Sequence, residues 1–182
     1  MFNKAKNWIS DNPDLSFAIL LSICVYAYFG LTNELFPTHR TGFAIMERFA
    51  VLGLVGLALT LCIIAGEIDL SIGSNAALAA VITVRFTDSL GAPSALLIAL
   101  LVSTSIGAIQ GYFIAYLRVR AIVLTVGTLM LLRGVALFAA EEKTVMLTDF
   151  RVPDFISTKM LWYFSPASLL VILMFVIVGL FM

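Results

Sequence analysis

Uncharged runs of helical length divide this chain into six segments. They cover Leu15 to about Leu31, Phe49 to Gly66, Ser71 to Val84, about Pro93 to Leu117, Ala121 to Ala140, and about Leu161 to Met182. A run of ~20 apolar residues makes a helix that crosses the ~30 Å hydrocarbon layer. The pattern therefore predicts an all-α, polytopic transmembrane helix bundle of about six spans. Polarity does not alternate as in the strands of a membrane barrel, and open sheet edges have no place in lipid. Two segments depart from the pattern. Arg133 interrupts the fifth. The third is short: the uncharged run Leu70 to Val84 holds 15 residues, a reach of ~22 Å.

The stretch before that third segment, Gly66-Glu67-Ile68-Asp69-Leu70-Ser71-Ile72-Gly73-Ser74, places two carboxylates between apolar helices. A charge at membrane depth costs a few kcal/mol or more, so it faces protein, a cavity or a pathway. With so short a third span, the turn Glu67 to Leu70 is expected within the membrane profile or in an aqueous vestibule, where irregular backbone survives against protein or water. Asp69 or Ser71 can cap the third helix, and its dipole favours a carboxylate there. The stretch reads equally as a well-capped tight turn, and the two readings are compatible.

Composition sharpens the class. The 182 residues are 62% hydrophobic and 12% charged, against ~25% charged in soluble domains. Formal net charge is zero and no basic cluster exists, which removes support for nucleic-acid binding. Asp11, Pro13 and Asp14 interrupt what could pass for a signal peptide at the start. Cys24 and Cys62 both lie in apolar runs and read as small core residues. His39 stands alone beside Pro37 and Arg40 and reads as a solvated loop residue, so no metal site is expected. No Ser/His/Asp set, Cys/His pair or phosphate-cradling loop is visible, so neither an enzyme activity nor a cofactor is expected.

Small residues suggest how the helices meet. Ala95, Ala99, Ser103, Gly107, Gly111 and Ala115 recur at every fourth position of the fourth span. Such a row lets another helix backbone approach closely and is expected to be a packing seam. Gly53, Gly56 and Thr60 make a lesser version on the second span, and Gly73, Ala76, Ala77 and Ala80 on the third; Gly127 and Gly134 are also expected at close contacts. Arg133, near the middle of the fifth span, needs a partner, and Glu67 or Asp69 are the nearest candidates in kind. Gln110 is expected to bond between helices.

The turn Leu117-Arg118-Val119-Arg120 is nearly all cation and, with Lys4 and Lys6, defines the inner side by charge density. Raw counting disagrees, because Arg40, Arg48, Arg85, Lys143, Arg151 and Lys159 fall in outer loops. Six spans then place both termini in the cytoplasm. The loop Glu141 to Met160, with Pro153, reads as an exposed connection open to an external partner.

Three tracts carry a family resemblance. Ala65 to Ser74 resembles the "GGIDLSVGS" signature of the membrane subunits of bacterial ATP-binding-cassette sugar importers of the ribose, xylose and rhamnose type. Thr125-Val126-Gly127-Thr128-Leu129-Met130-Leu131-Leu132-Arg133-Gly134 resembles that family's "TLGTMxLxRG" segment. Gly107 to Tyr116 is similar to its "GxxnGxliay" helix end, and Arg118-Val119-Arg120 sits where the family has a short cytoplasmic turn. Glu67 replaces the commoner second Gly, as in rhamnose-type members, and Glu141-Glu142-Lys143 departs from the small residues expected after the Arg-Gly pair.

The resemblance implies a single transmembrane domain over residues 1–182, the N-terminal half of a longer permease in the bacterial inner membrane. It implies four kinds of partner: ATP-binding subunits, a second permease subunit of the same or a different chain, a periplasmic sugar-binding protein, and the bilayer. It implies that Gly66 and Gly73 permit the break, Asp69 and Ser71 hold its geometry, Glu67 faces the path and Arg133 fixes the fifth helix. Two other classes compete. One is a scaffold or regulatory subunit, or a truncated gene product, told apart by the coding sequence after residue 182. The other is half of a secondary transporter, which would need an inverted repeat or coupling-ion ligands.

Overall fold

The computed structural model describes residues 12–141, 143, 157 and 163–181. Among the described residues six helices follow one another: α1 (Pro13–Thr32), α2 (His39–Ile64), α3 (Ile72–Leu90), α4 (Ala92–Ala115), α5 (Ala121–Ala139) and α6 (Pro166–Phe181). No strand occurs among the described residues. α1, α2, α4 and α5 are long and apolar enough to cross a membrane. Large apolar side chains are exposed on all six helices, the surface a helix presents to lipid. Lys4, Lys6, Glu142, Arg151, Pro153, Lys159 and Leu161 lie outside the described residues.

The helices outrun the uncharged segments. α2 begins at His39, ten residues before Phe49, and takes Arg40, Glu47 and Arg48 into its first turns. His39 is thus the first residue of a helix rather than of a loop. α3 continues through Arg85 and Asp88 to Leu90, giving 19 residues where the charge-free run suggested a stunted span. That is a rod of ~28 Å. A charge near a helix end leaves the backbone hydrogen bonds intact and can extend toward water, so it does not stop the helix.

The chain forms two compact units, Met1–Ile45 and Met46–Met182. In the first, the residues after α1 fold back on its end. Asn33 donates its N–H to the Phe29 carbonyl and its Oδ1 accepts from the Leu35 N–H. Phe36 packs its ring against Tyr26 and Phe29, with centroids 5.2 and 5.5 Å apart.

In the second unit, α3 and α4 form a hairpin with Gly91 alone between them. Gly91 adopts φ 79°, a left-handed conformation that suits glycine, and Pro93 opens α4, where its missing N–H costs nothing. Leu78, Leu132 and Ala136 form the core between α3 and α5, joined by Val81, Ile82 and Ile106. α2 meets α6 at Gly53, where an added Cβ would lie 3.3 Å from Val171 and 3.4 Å from Phe175. Ser165 and Ser168 cap α6 reciprocally: each accepts the other's backbone N–H, at 3.3 and 2.9 Å.

The row of small residues on α4 is divided. Ala95 and Ala99 are buried, Ser103 is half-buried, and Gly107, Gly111 and Ala115 are exposed. A row at four-residue spacing turns by about 40° per step around a helix of 3.6 residues per turn, hence about 200° from Ala95 to Ala115. The face toward α3 runs instead through Ala95, Ala99, Ile106 and Gln110. On α3 the buried residues are Ser74, Leu78 and Thr87, while Gly73, Ala76, Ala77 and Ala80 are exposed. Gly56, Gly127 and Gly134 have no neighbour within 4 Å of an added Cβ, so they are not close contacts within the described residues.

Candidate functional site

α2 stops at Gly66. Its φ of 81° turns the chain, its N–H bonds to the Ile63 carbonyl at 2.9 Å, and the Glu67 N–H returns to Cys62 at 3.0 Å. This paired closure satisfies two of the last carbonyls of α2. Gly73 takes no part in the break. It lies within α3, without positive φ, and faces open space.

Six residues past Gly66, at Ile72, the chain re-enters a helix, and Asp69 organises the re-entry. One oxygen, Oδ1, accepts both the Ser71 N–H and the Ser71 hydroxyl, each at 2.7 Å. The Asn75 N–H then bonds to the Ser71 carbonyl and begins the α3 ladder. Neither side chain caps a later amide of α3; the carboxylate instead holds the residue from which α3 departs.

Ser71 is buried, and its Oγ accepts a hydrogen bond from Gln110 Nε2 at 2.9 Å. This is the interhelical bond expected of Gln110. From the third side, the buried Thr125 hydroxyl lies 3.4 Å from the Ile68 carbonyl and 3.5 Å from that of Ile122. One turn into α3, Asn75 donates to the Ser103 carbonyl at 3.3 Å, and its buried Oδ1 has no partner among the described residues.

The elbow is therefore anchored below the ends of its neighbours. Gln110 lies five residues before the end of α4 and Thr125 four residues into α5, about one to one and a half helical turns. Glu67 stays at the surface and lines an open cavity of about 560 Å³ with Arg118 and Arg120. Asp69 and Glu67 thus differ in kind: one carboxylate is committed to backbone geometry, the other is free to meet a ligand or partner.

Arg133 is exposed on α5 and makes no ion pair with Glu67 or Asp69. The reason is axial position: it lies eight residues past Thr125, the α5 residue beside the elbow, or ~12 Å along the helix. An ion pair does join Arg85 to Glu141, at 2.7 Å, from the far end of α3 to the end of α5. Sequence reasoning missed this pair because it assigned Arg85 to a loop. It also passed over Thr125 and Asn75, whose signal was a polar side chain within the first turns of an otherwise apolar helix. Cys24 and Cys62 are free, and no group of metal-ligating side chains occurs among the described residues.

Comparison with known proteins places this arrangement. The model of the family described as "Branched-chain amino acid transport system / permease component" matches residues 42–182. Relatives include the "Autoinducer 2 import system permease protein LsrD" of Escherichia coli (strain K12) and of Shigella flexneri, each 34% identical over 125 residues. The match covers 68% of this chain and 38% of each relative, so the chain spans well under half the length of those relatives. No solved structure matches. The matched region takes in the elbow, Gln110 and Thr125, and the chain belongs to this family of transport-system permease components.

Proposed function

We propose that this chain builds part of the translocation path of an ATP-driven importer for a small sugar-like solute. An external binding protein delivers the solute, and ATP-binding subunits drive the cycle beside a second permease subunit. The observation that carries the reading is the convergence of Asp69, Ser71, Gln110 and Thr125. These residues come from the three tracts that resemble sugar-importer permeases, and they meet at one joint. The relatives' name, an autoinducer 2 import system permease, supports an import role.

No covalent chemistry is required of the chain. Gly66 ends α2, Asp69 fixes the start of α3 through Ser71, and Gln110 and Thr125 hold that start against α4 and α5. A joint fastened this way transmits movement of its surface side, where Glu67, Arg118 and Arg120 stand, into the α3–α4 hairpin. Arg133 would be costly against lipid. It is assigned to a face of α5 that meets water in the path or a second permease subunit.

The membrane is the bacterial inner membrane, with the elbow and the Arg118–Arg120 turn on the cytoplasmic side. The test is uptake of labelled autoinducer 2 and of a pentose panel in cells producing the complete importer. Uptake is expected to be abolished by vanadate and indifferent to collapse of the proton gradient. Asp69→Ala is expected to lower uptake at least tenfold while the complex still assembles. Unchanged uptake in Asp69→Ala, or uptake that follows an ion gradient, overturns the reading.

A further inference from the structure

The cavity beside the elbow carries charge of both signs, and none of it is neutralised within the described residues. Glu67, Arg118 and Arg120 all line it. All three side chains are exposed, and none of them takes part in the Arg85–Glu141 ion pair. The volume, about 560 Å³, falls in the ~300–1,000 Å³ range of small-ligand sites. Its complement is a molecule with an anionic group for two guanidiniums and a cationic group for one carboxylate.

Its level in the bundle narrows the ligand further. Tyr112, on the last turn of α4, and Tyr116, just past its end, stand beside the Arg118–Arg120 turn, 55% and 77% exposed, with ring centroids 5.2 Å apart. Exposed tyrosines on an apolar helix mark the depth of lipid headgroups. Basic pockets between transmembrane helices are known hosts for such headgroups.

We propose that this cavity binds the headgroup of an aminophospholipid, with its phosphate on Arg118 and Arg120 and its primary ammonium on Glu67. Guanidiniums hold phosphate oxygens by paired, charge-assisted hydrogen bonds. A primary ammonium brings three N–H donors to the carboxylate, whereas a choline brings none. Phosphatidylglycerol satisfies the arginines but offers Glu67 neutral hydroxyls in place of an ammonium. Ethanolamine lipid is therefore preferred over both. This inference concerns lipid contact and stands apart from the transport reading.

The test is lipid retention by the purified full chain, measured by native mass spectrometry from nanodiscs of equal phosphatidylethanolamine, phosphatidylcholine and phosphatidylglycerol. The expected result is retention of the ethanolamine lipid about tenfold over the choline lipid, a ratio suited to one charge-assisted contact in an open site. Glu67→Gln is expected to bring that ratio near one, and Arg118→Gln with Arg120→Gln to lower retention of all three lipids. A second readout uses Tyr112→Trp, whose fluorescence should be quenched more by spin-labelled ethanolamine lipid than by its choline counterpart. Equal retention of all lipids, a preference for phosphatidylglycerol, or a ratio unmoved by Glu67→Gln overturns the proposal. So does binding of soluble phosphoethanolamine with no lipid retained, which would mark a site for free phosphate esters.

Discussion

Gln110 donates to Ser71 across 2.9 Å while Ser71 donates to Asp69 across 2.7 Å, so one hydroxyl joins α4 to the elbow between α2 and α3. In an apolar surrounding, each member of such a relay depends on the next, because a stranded donor has no water to turn to.

Ser71→Ala strands the Gln110 amide and is expected to destabilise the fold by ~1–3 kcal/mol. Adding Gln110→Leu removes the stranded group, so the double variant is expected to recover part of the loss. The coupling should be ~0.6 kcal/mol and at most ~1.7 kcal/mol, the average and the maximum for bonds between membrane helices. Thermal unfolding in detergent, arranged as a double-mutant cycle, reads both quantities.

Gly66 and Gly73 flank the same elbow and should respond oppositely. Gly66→Ala must hold a side chain at φ 81°, at a cost of ~1–2 kcal/mol. Gly73 is helical with open space at its Cβ, so Gly73→Ala is expected to stabilise by ~0.5–1 kcal/mol. Urea or heat unfolding of the two variants ranks them on either side of the wild type.

At the α2–α6 contact, an added Cβ on Gly53 lies 3.3 Å from Val171, whereas Gly56 has nothing within 4 Å. Gly53→Leu is expected to destabilise by ~1–3 kcal/mol through overpacking. Gly56→Leu should leave the melting temperature at or above the wild-type value.

The Arg85–Glu141 pair is 47% and 58% exposed, and Glu141 sits at φ 55°. Arg85→Ala is expected to cost at most ~1 kcal/mol, an effect that fades in high salt. Glu141→Gly removes the same pair but releases a left-handed residue, so it should stabilise where Glu141→Ala does not. Melting curves at low and high salt separate the two contributions.

All six helices were legible as charge-free runs, and the joint was legible from two carboxylates and a glycine between them. Three things were not. Helix ends escaped, because Arg40 and Glu47 in α2 and Arg85 and Asp88 in α3 sit near water without disturbing the backbone ladder. Packing faces escaped in part, because lipid and a neighbouring helix are both apolar: Ala95 and Ala99 of the small-residue row are buried, as Gln110 is, whereas Gly107 and Gly111 of the same row are exposed. Pairing across the bundle escaped too. Residue type suggested Arg133 for Glu67 or Asp69, but depth along α5 decides such contacts, and depth emerges once Thr125 is seen beside Ile68.

The one-residue bend at Gly91 has a mechanical corollary. Two rods fused at one tip and fastened by Gln110 toward the other cannot scissor, so they can only tilt together. A small push at the fastened end is then converted into a sweep at the glycine tip nearly thirty ångströms away, with the pair acting as an oar rather than a pair of tongs.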